Sequence, residues 1–146
     1  MSIEENKALV QKLAKAFNTK DETLIDEIIA PDFVDYPMKL RGRDAYIKME
    51  KTIYKGFPDV QRTITHIAAD GDTVWFQIKS TGTHTGEYHG LAPTGKKFTL
   101  TGIVVYRIAN GKVIEKVTQV FDLMDFYQQL GVIEYKGFPD ETKSLL

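Results

Sequence analysis

Residues 4–17 carry apolar side chains at Leu9, Val10, Leu13, Ala14, Ala16 and Phe17, with charged and amide residues between them. That three-and-four spacing predicts a helix with one buried stripe. Asn18-Thr19-Lys20 interrupts it. Asp21 then precedes residues 23–30, a short helical pattern with an acidic first turn that stops at Pro31. A proline disfavours helical geometry in the residue before it, so residues 33–37 are expected to form a loop leading into the body of the domain. Beyond Arg41-Gly42-Arg43, Asp44 is expected to cap a third helix. Its stripe is Tyr46, Ile47, Met49, Ile53 and Tyr54, and Gly56 and Pro58 end it.

After Asp59 the period changes to two, with short β-branched runs at 60–68, 73–83, 97–108 and 113–121. These predict four strands. Asp70-Gly71-Asp72 and Asn110-Gly111 are tight-turn sequences flanked by apolar runs, the pattern of hairpins, so the sheet is expected to be an antiparallel meander. A last amphipathic segment, 123–130, ends at Gly131. Helices grouped before hairpin-linked strands define an α+β fold in which the helices cover one face of the sheet. The expected domain spans 1–133, followed by a tail at 134–146 that is loosely ordered or contacts a partner subunit. Tyr54-Lys55-Gly56-Phe57-Pro58-Asp59 recurs as Tyr135-Lys136-Gly137-Phe138-Pro139-Asp140, but two copies are too few for a stacked repeat.

Composition narrows the chemistry. The chain has 146 residues, 42% of them hydrophobic, enough for one core. Lys and Arg total 19 against 20 Asp and Glu, a formal net charge of −1. No basic field is available for a nucleic acid backbone or an anionic membrane surface. There is no cysteine, hence no disulfide, thiolate metal site or thiol nucleophile. The N-terminus lacks the basic start and apolar run of a secretory signal, and a cytoplasmic protein is expected.

Several segments occur in a telling order. They are Gly56-Phe57-Pro58-Asp59, Gly71-Asp72-Thr73-Val74, Gly82-Thr83-His84-Thr85-Gly86-Glu87 and Gly90-Leu91-Ala92-Pro93-Thr94-Gly95-Lys96-Lys97, then Arg107-Ile108 with Gly111-Lys112-Val113, and Gln128-Gln129-Leu130-Gly131. From about Asn6 to Val132 this set resembles the SnoaL-like polyketide cyclase (ester cyclase) family. The resemblance implies the cone-shaped nuclear transport factor 2-like fold, with N-terminal helices packed on a curved antiparallel sheet around a central cavity, commonly in a homodimer. It also implies intramolecular aldol closure of a polyketide methyl ester without metal or cofactor, using an aspartate before the closing helix as general acid/base. The matching residue is Asp122. The sequence departs from the family pattern in being one residue longer between Gly111 and Asp122, and in lacking a tryptophan after Glu115. An inserted residue in a strand either makes a bulge or flips the faces upstream of it.

A carboxylate desolvated in an apolar cavity suits proton transfer next to a carbonyl. Asp122 follows Val120-Phe121 and fits that description, and equally it can cap the helix starting at Leu123. Asp35 and Tyr36 are candidate polar contacts at the pocket. Phe57 and Trp75 are candidate substrate contacts, with Phe17, Phe33, Met49 and Ile53 as further apolar wall positions. His84 and His89 bracket Glu87, but they lie in a glycine-rich connection rather than at metal-ligand spacing on a helix, so no metal is expected. The partner expected is a small hydrophobic or carbonyl-containing ligand. The alternatives are a non-catalytic ligand-binding module and a homo-oligomeric interaction protein.

Overall fold

The computed structural model describes residues 2–134 and 136. Most of the tail at 134–146, including nearly all of the second Tyr-Lys-Gly-Phe-Pro-Asp segment, lies outside the described residues. The elements are α1 (Ile3–Thr19), α2 (Glu22–Ile28), β1 (Ile29–Asp35), β2 (Leu40–Arg41), α3 (Arg43–Gly56), β3 (Gln61–Asp70), β4 (Thr73–Thr83), β5 (Lys97–Ala109), β6 (Lys112–Phe121) and α4 (Leu123–Gln129). The fold is α+β, with helices packed on one curved six-stranded sheet of order β2-β1-β6-β5-β4-β3.

The helix ends follow local chemistry. Ser2 accepts a hydrogen bond from the Glu5 amide at the start of α1, and Asp21 accepts one from the Leu24 amide at the start of α2. For α3 the expectation fails. Gly42, at φ 95°, occupies the cap position without a side-chain bond, and Asp44 lies inside the first turn. The chain leaves β2 through a positive φ that glycine adopts at little cost, which starts the helix before Asp44 is reached. There Asp44 complements the positive end of the helix dipole.

The expected loop at 33–37 is also corrected. Pro31 does not open a loop, because β1 begins directly after α2 and runs parallel to β6, pairing Val34 with Glu115 and Asp35 with Lys116. The register is irregular between Ile29 and Val34, where Pro31 has no amide to donate. Only Tyr36–Lys39 forms a turn, before β2 pairs back on β1. The strands from β3 to β6 form the expected antiparallel meander.

The strand before Asp122 carries a bulge. Val105 pairs with Thr118 and Tyr106 with Lys116, leaving Val117 without a partner on β5. Two residues opposing one lets Lys116 and Gln119, three apart in sequence, share the sheet face that carries Tyr106 and Val104. A second irregularity lies between Arg107 and Ile108.

Two apolar clusters form the interior. One joins Val10, Leu13, Phe17 and Ile28 of the helices to Val74, Phe76 and Tyr106 of the sheet. The other gathers Phe57, Val60, Phe98, Phe126 and Leu130, so that α4 closes the far end. Within it Phe57 meets Phe98 edge-on, with ring centroids 5.0 Å apart.

Candidate active site

Between these clusters lies a cavity of about 540 Å³. Val10, Leu13 and Phe17 of α1 and Met49 and Ile53 of α3 form one wall, opposite Phe76, Ile78 and Val104 of the sheet. Phe57, Phe98 and Phe126 line the end nearest α4. Met38, Val120 and Leu123 line the cavity and are also exposed, so they mark its mouth.

Polar groups converge on one part of this wall. Glu50 of α3 and Arg62 of β3 form an ion pair of 2.7 Å, with side chains only 6% and 13% exposed. Burial opposes the Arg62 cation, but the adjacent Glu50 carboxylate outweighs it and holds the pKa above its ordinary value. Lys116 of β6 is paired with Asp35 of β1 at 2.9 Å, and their side chains are 3% and 0% exposed. Burial pushes the Lys116 ammonium below its usual range, while Asp35 works in the opposite direction. The Lys116 amine also donates to Gln119 Oε1 at 3.0 Å and lies 4.6 Å from the Tyr46 ring centroid. The Tyr46 and Tyr106 hydroxyls are 3.3 Å apart, and burial raises the pKa of both. Tyr46, Glu50, Arg62, Tyr106, Lys116 and Gln119 all line the cavity. A carbonyl oxygen reaching this region meets hydroxyl and cationic donors, with the rest of the ligand against aromatic and aliphatic walls.

The residues singled out from sequence are not gathered in one place. Phe57 is in the wall. Asp35 stands directly behind it, holding Lys116 with one carboxylate oxygen and accepting the Met38 amide at 3.0 Å with the other. Tyr36 is 54% exposed beyond the wall, its hydroxyl 3.5 Å from Glu115. Trp75 lies on the opposite sheet face, because alternation along β4 turns Val74, Phe76 and Ile78 inward and Trp75 out. Asp122 caps α4, accepting the Asp125 amide at 3.0 Å. It is exposed, between the cavity-lining Phe121 and Leu123. Of the other wall positions proposed from sequence, Phe17, Met49 and Ile53 line the cavity, and Phe33 is packed in the core against Tyr46.

Glu50, Arg62 and Lys116 were missed. Two of them carried a signal: Glu50 falls four residues after Tyr46 in the buried stripe of α3, and Lys116 occupies the segment where an aromatic residue was expected. Among the histidines, His84 is buried and takes the Thr94 amide on Nδ1 at 3.3 Å, while His89 lines the cavity. Among the described residues no group of three or more His, Asp or Glu side chains is placed to hold a metal ion.

The helices over a curved sheet, with a closed end and an open mouth, define an α+β cone of the nuclear transport factor 2-like kind. The chain belongs to the SnoaL-like polyketide cyclase family, whose model matches residues 7–130. It is 25% identical over 130 residues to aklanonic acid methyl ester cyclase DauD from Streptomyces sp. (strain C5), covering 84% of this chain and 80% of that protein. The cyclase DnrD from Streptomyces peucetius, of the same description, is also 25% identical over 130 residues, covering 84% of this chain and 88% of DnrD. Among solved structures, AclR from Streptomyces galilaeus, described as a hydroxylase, superposes with a TM-score of 0.83 at 29% identity, covering 97% of this chain and 93% of AclR. IdmH from Streptomyces antibioticus, described as a polyketide cyclase, gives 0.78 at 29% identity over 87% of this chain and 99% of IdmH. No helix among the described residues is long and apolar enough to cross a membrane.

Proposed function

We propose that the protein closes a ring in a polyketide-like carbonyl substrate by intramolecular aldol chemistry, using acid and base groups without a metal or organic cofactor. The observation that carries this reading is the cavity itself, whose aromatic and aliphatic walls end in a patch of hydroxyl and cationic donors. Family membership and the methyl ester cyclase relatives point the same way. In this reading Asp122 takes a proton from a carbon next to a carbonyl, the resulting enolate carbon attacks a second carbonyl, and the new alkoxide receives a proton. The position of Asp122 between two cavity-lining residues supports the role, because a substrate entering by the mouth passes it. Phe57 contacts the carbon skeleton, Asp35 acts through Lys116, and Tyr36 lies outside the mouth. The protein works as a homodimer through the outer face of the sheet, where Trp75 and Ile103 are exposed, and it works in the cytoplasm.

A fold of this kind does not fix the reaction, and AclR illustrates the same cone under another description. One observation favours a second reading, a ligand carrier: the Asp122 carboxylate is engaged as a helix cap. Asp122→Asn separates the two, since asparagine caps as well as aspartate but is no base. With aklanonic acid methyl ester and related β-keto esters, the variant is expected to lose about 10²-fold or more in kcat/KM at unchanged Tm. Undiminished turnover removes Asp122 from the chemistry, and wild-type binding without turnover selects the carrier.

A further inference from the structure

Lys116 is more than the counter-ion of Asp35. A lysine ammonium has three N–H donors and no acceptor. Gln119 Oε1 accepts one at 3.0 Å, and the Asp35 carboxylate lies 2.9 Å away as the ion-pair partner. Among the described residues no third acceptor reaches it, and the Tyr46 ring face lies 4.6 Å away. Because lysine can only donate, Gln119 must turn its oxygen toward it, and the Gln119 NH₂ is then left with donors that no described residue accepts. Both side chains line the cavity, as do the Tyr46 and Tyr106 hydroxyls. The nearby carboxylates are already committed, Asp35 behind the wall to Lys116 and Glu50 to Arg62. This stretch of wall therefore places the Lys116 and Gln119 donors against the cavity, with the Glu50 carboxylate that shares the lining held against Arg62.

We propose that Lys116 and Gln119 form an oxyanion subsite that binds the ionised enol or phenol form of the ligand in preference to the neutral form. Donors fixed in a water-poor site stabilise developing negative charge far better than donors in water. The inference rests on the cyclase reading only for the identity of the natural oxyanion, which is the enolate oxygen of the closing substrate. The neighbouring charged and titratable groups are Asp35 from β1, Tyr46 and Glu50 from α3, Arg62 from β3 and Tyr106 from β5. The two carboxylates and two cations among them cancel when Lys116 is counted, so the preference for an anion comes from direction and proximity rather than from net charge.

The test uses 4-nitrophenol, whose anion is coloured, titrated in the presence and absence of the full-length protein. Bound dye is expected to ionise about one pH unit lower than free dye, a tenfold preference for the phenolate. Lys116→Met alone strands a buried Asp35 charge and threatens folding, so the diagnostic variant is Asp35→Asn with Lys116→Met, which removes both charges together. That double variant should lose the shift, Gln119→Leu should lose part of it, and Lys116→Arg should keep much of it. Bound dye ionising at or above its free value, an undiminished shift in the double variant, or no saturable binding overturns the proposal. The dye is not turned over, so a shift without cyclisation leaves the subsite standing while the cyclase reading fails. Wild-type cyclisation by the double variant does the reverse.

Discussion

Two buried charge pairs facing a cavity make single residues unusually consequential. Replacing one partner of such a pair leaves its neighbour uncompensated, a loss that runs to about 3–5 kcal/mol, whereas removing both is close to neutral. Glu50→Gln is therefore expected to lower stability by that order in urea unfolding, and Glu50→Gln with Arg62→Met to recover most of it. Recovery of none would mean that the two side chains act independently. Neither residue was readable as paired from sequence, because Glu50 and Arg62 are separated by twelve positions on different elements and their side chains meet only in the folded chain. What could be read was local. Phe57 sits where an aromatic wall residue was expected, and Asp35 is close to the cavity but paired with a lysine that only the parallel β1–β6 pairing brings alongside. Trp75 was ambiguous because alternation defines two faces without saying which one the helices cover.

At the level of elements, the helices and the hairpins were legible because periodicity and turn glycines are local signals. Strand β1 was not, since Pro31 breaks its alternation and its partner β6 lies some eighty residues further along the chain. The packing of β5 on β6 gives a direct check. A Cβ added at Gly102 would collide with the Phe121 ring and would lie 2.6 Å from the Val120 carbonyl oxygen. Gly102→Ala should consequently cost about 1–3 kcal/mol in chemical denaturation and displace Phe121 at the cavity rim. The cap of α4 supplies a second check: Asp122→Ala is expected to cost about 1 kcal/mol, and Asp122→Asn nearly nothing. Equal losses for the two would show that charge, and not the capping hydrogen bond, matters there.

Across the whole molecule, the buried tyrosines set an alkaline limit. Burial pushes Tyr54 and Tyr88 up to about 12, and raises Tyr46 and Tyr106 as well. In the unfolded chain tyrosines lose their protons near pH 10. Above that pH the unfolded state binds fewer protons than the folded one, so stability falls as pH rises from about 10, through about 12 where Tyr54 and Tyr88 ionise in the folded chain. Tyrosinate absorbance and loss of circular dichroism are expected to rise together in that window. Tyrosinate from all four appearing near pH 10 in a still-folded protein would contradict it. Assembly is the other property of this scale. If the outer sheet face joins two copies, Ile103→Glu should halve the mass seen by sedimentation, and a wild-type protein that sediments as a monomer removes the dimer.

The bulge at Val117 has a consequence for how the cavity acquires its polarity. Laid out as an unbroken ladder ending at the same Phe121, β6 would alternate inward through Gln119, Val117 and Glu115, presenting a carboxylate where the folded protein presents an ammonium. The sign of charge offered to the ligand is thus encoded in strand phase, not only in which residues the strand contains. Deleting Val117 alone should leave Lys116 facing inward, since the unpaired residue is the one removed, and the dye titration above would register no change. What reverses the charge facing the ligand is the loss of the bulge at constant strand length, with no side chain in the wall substituted.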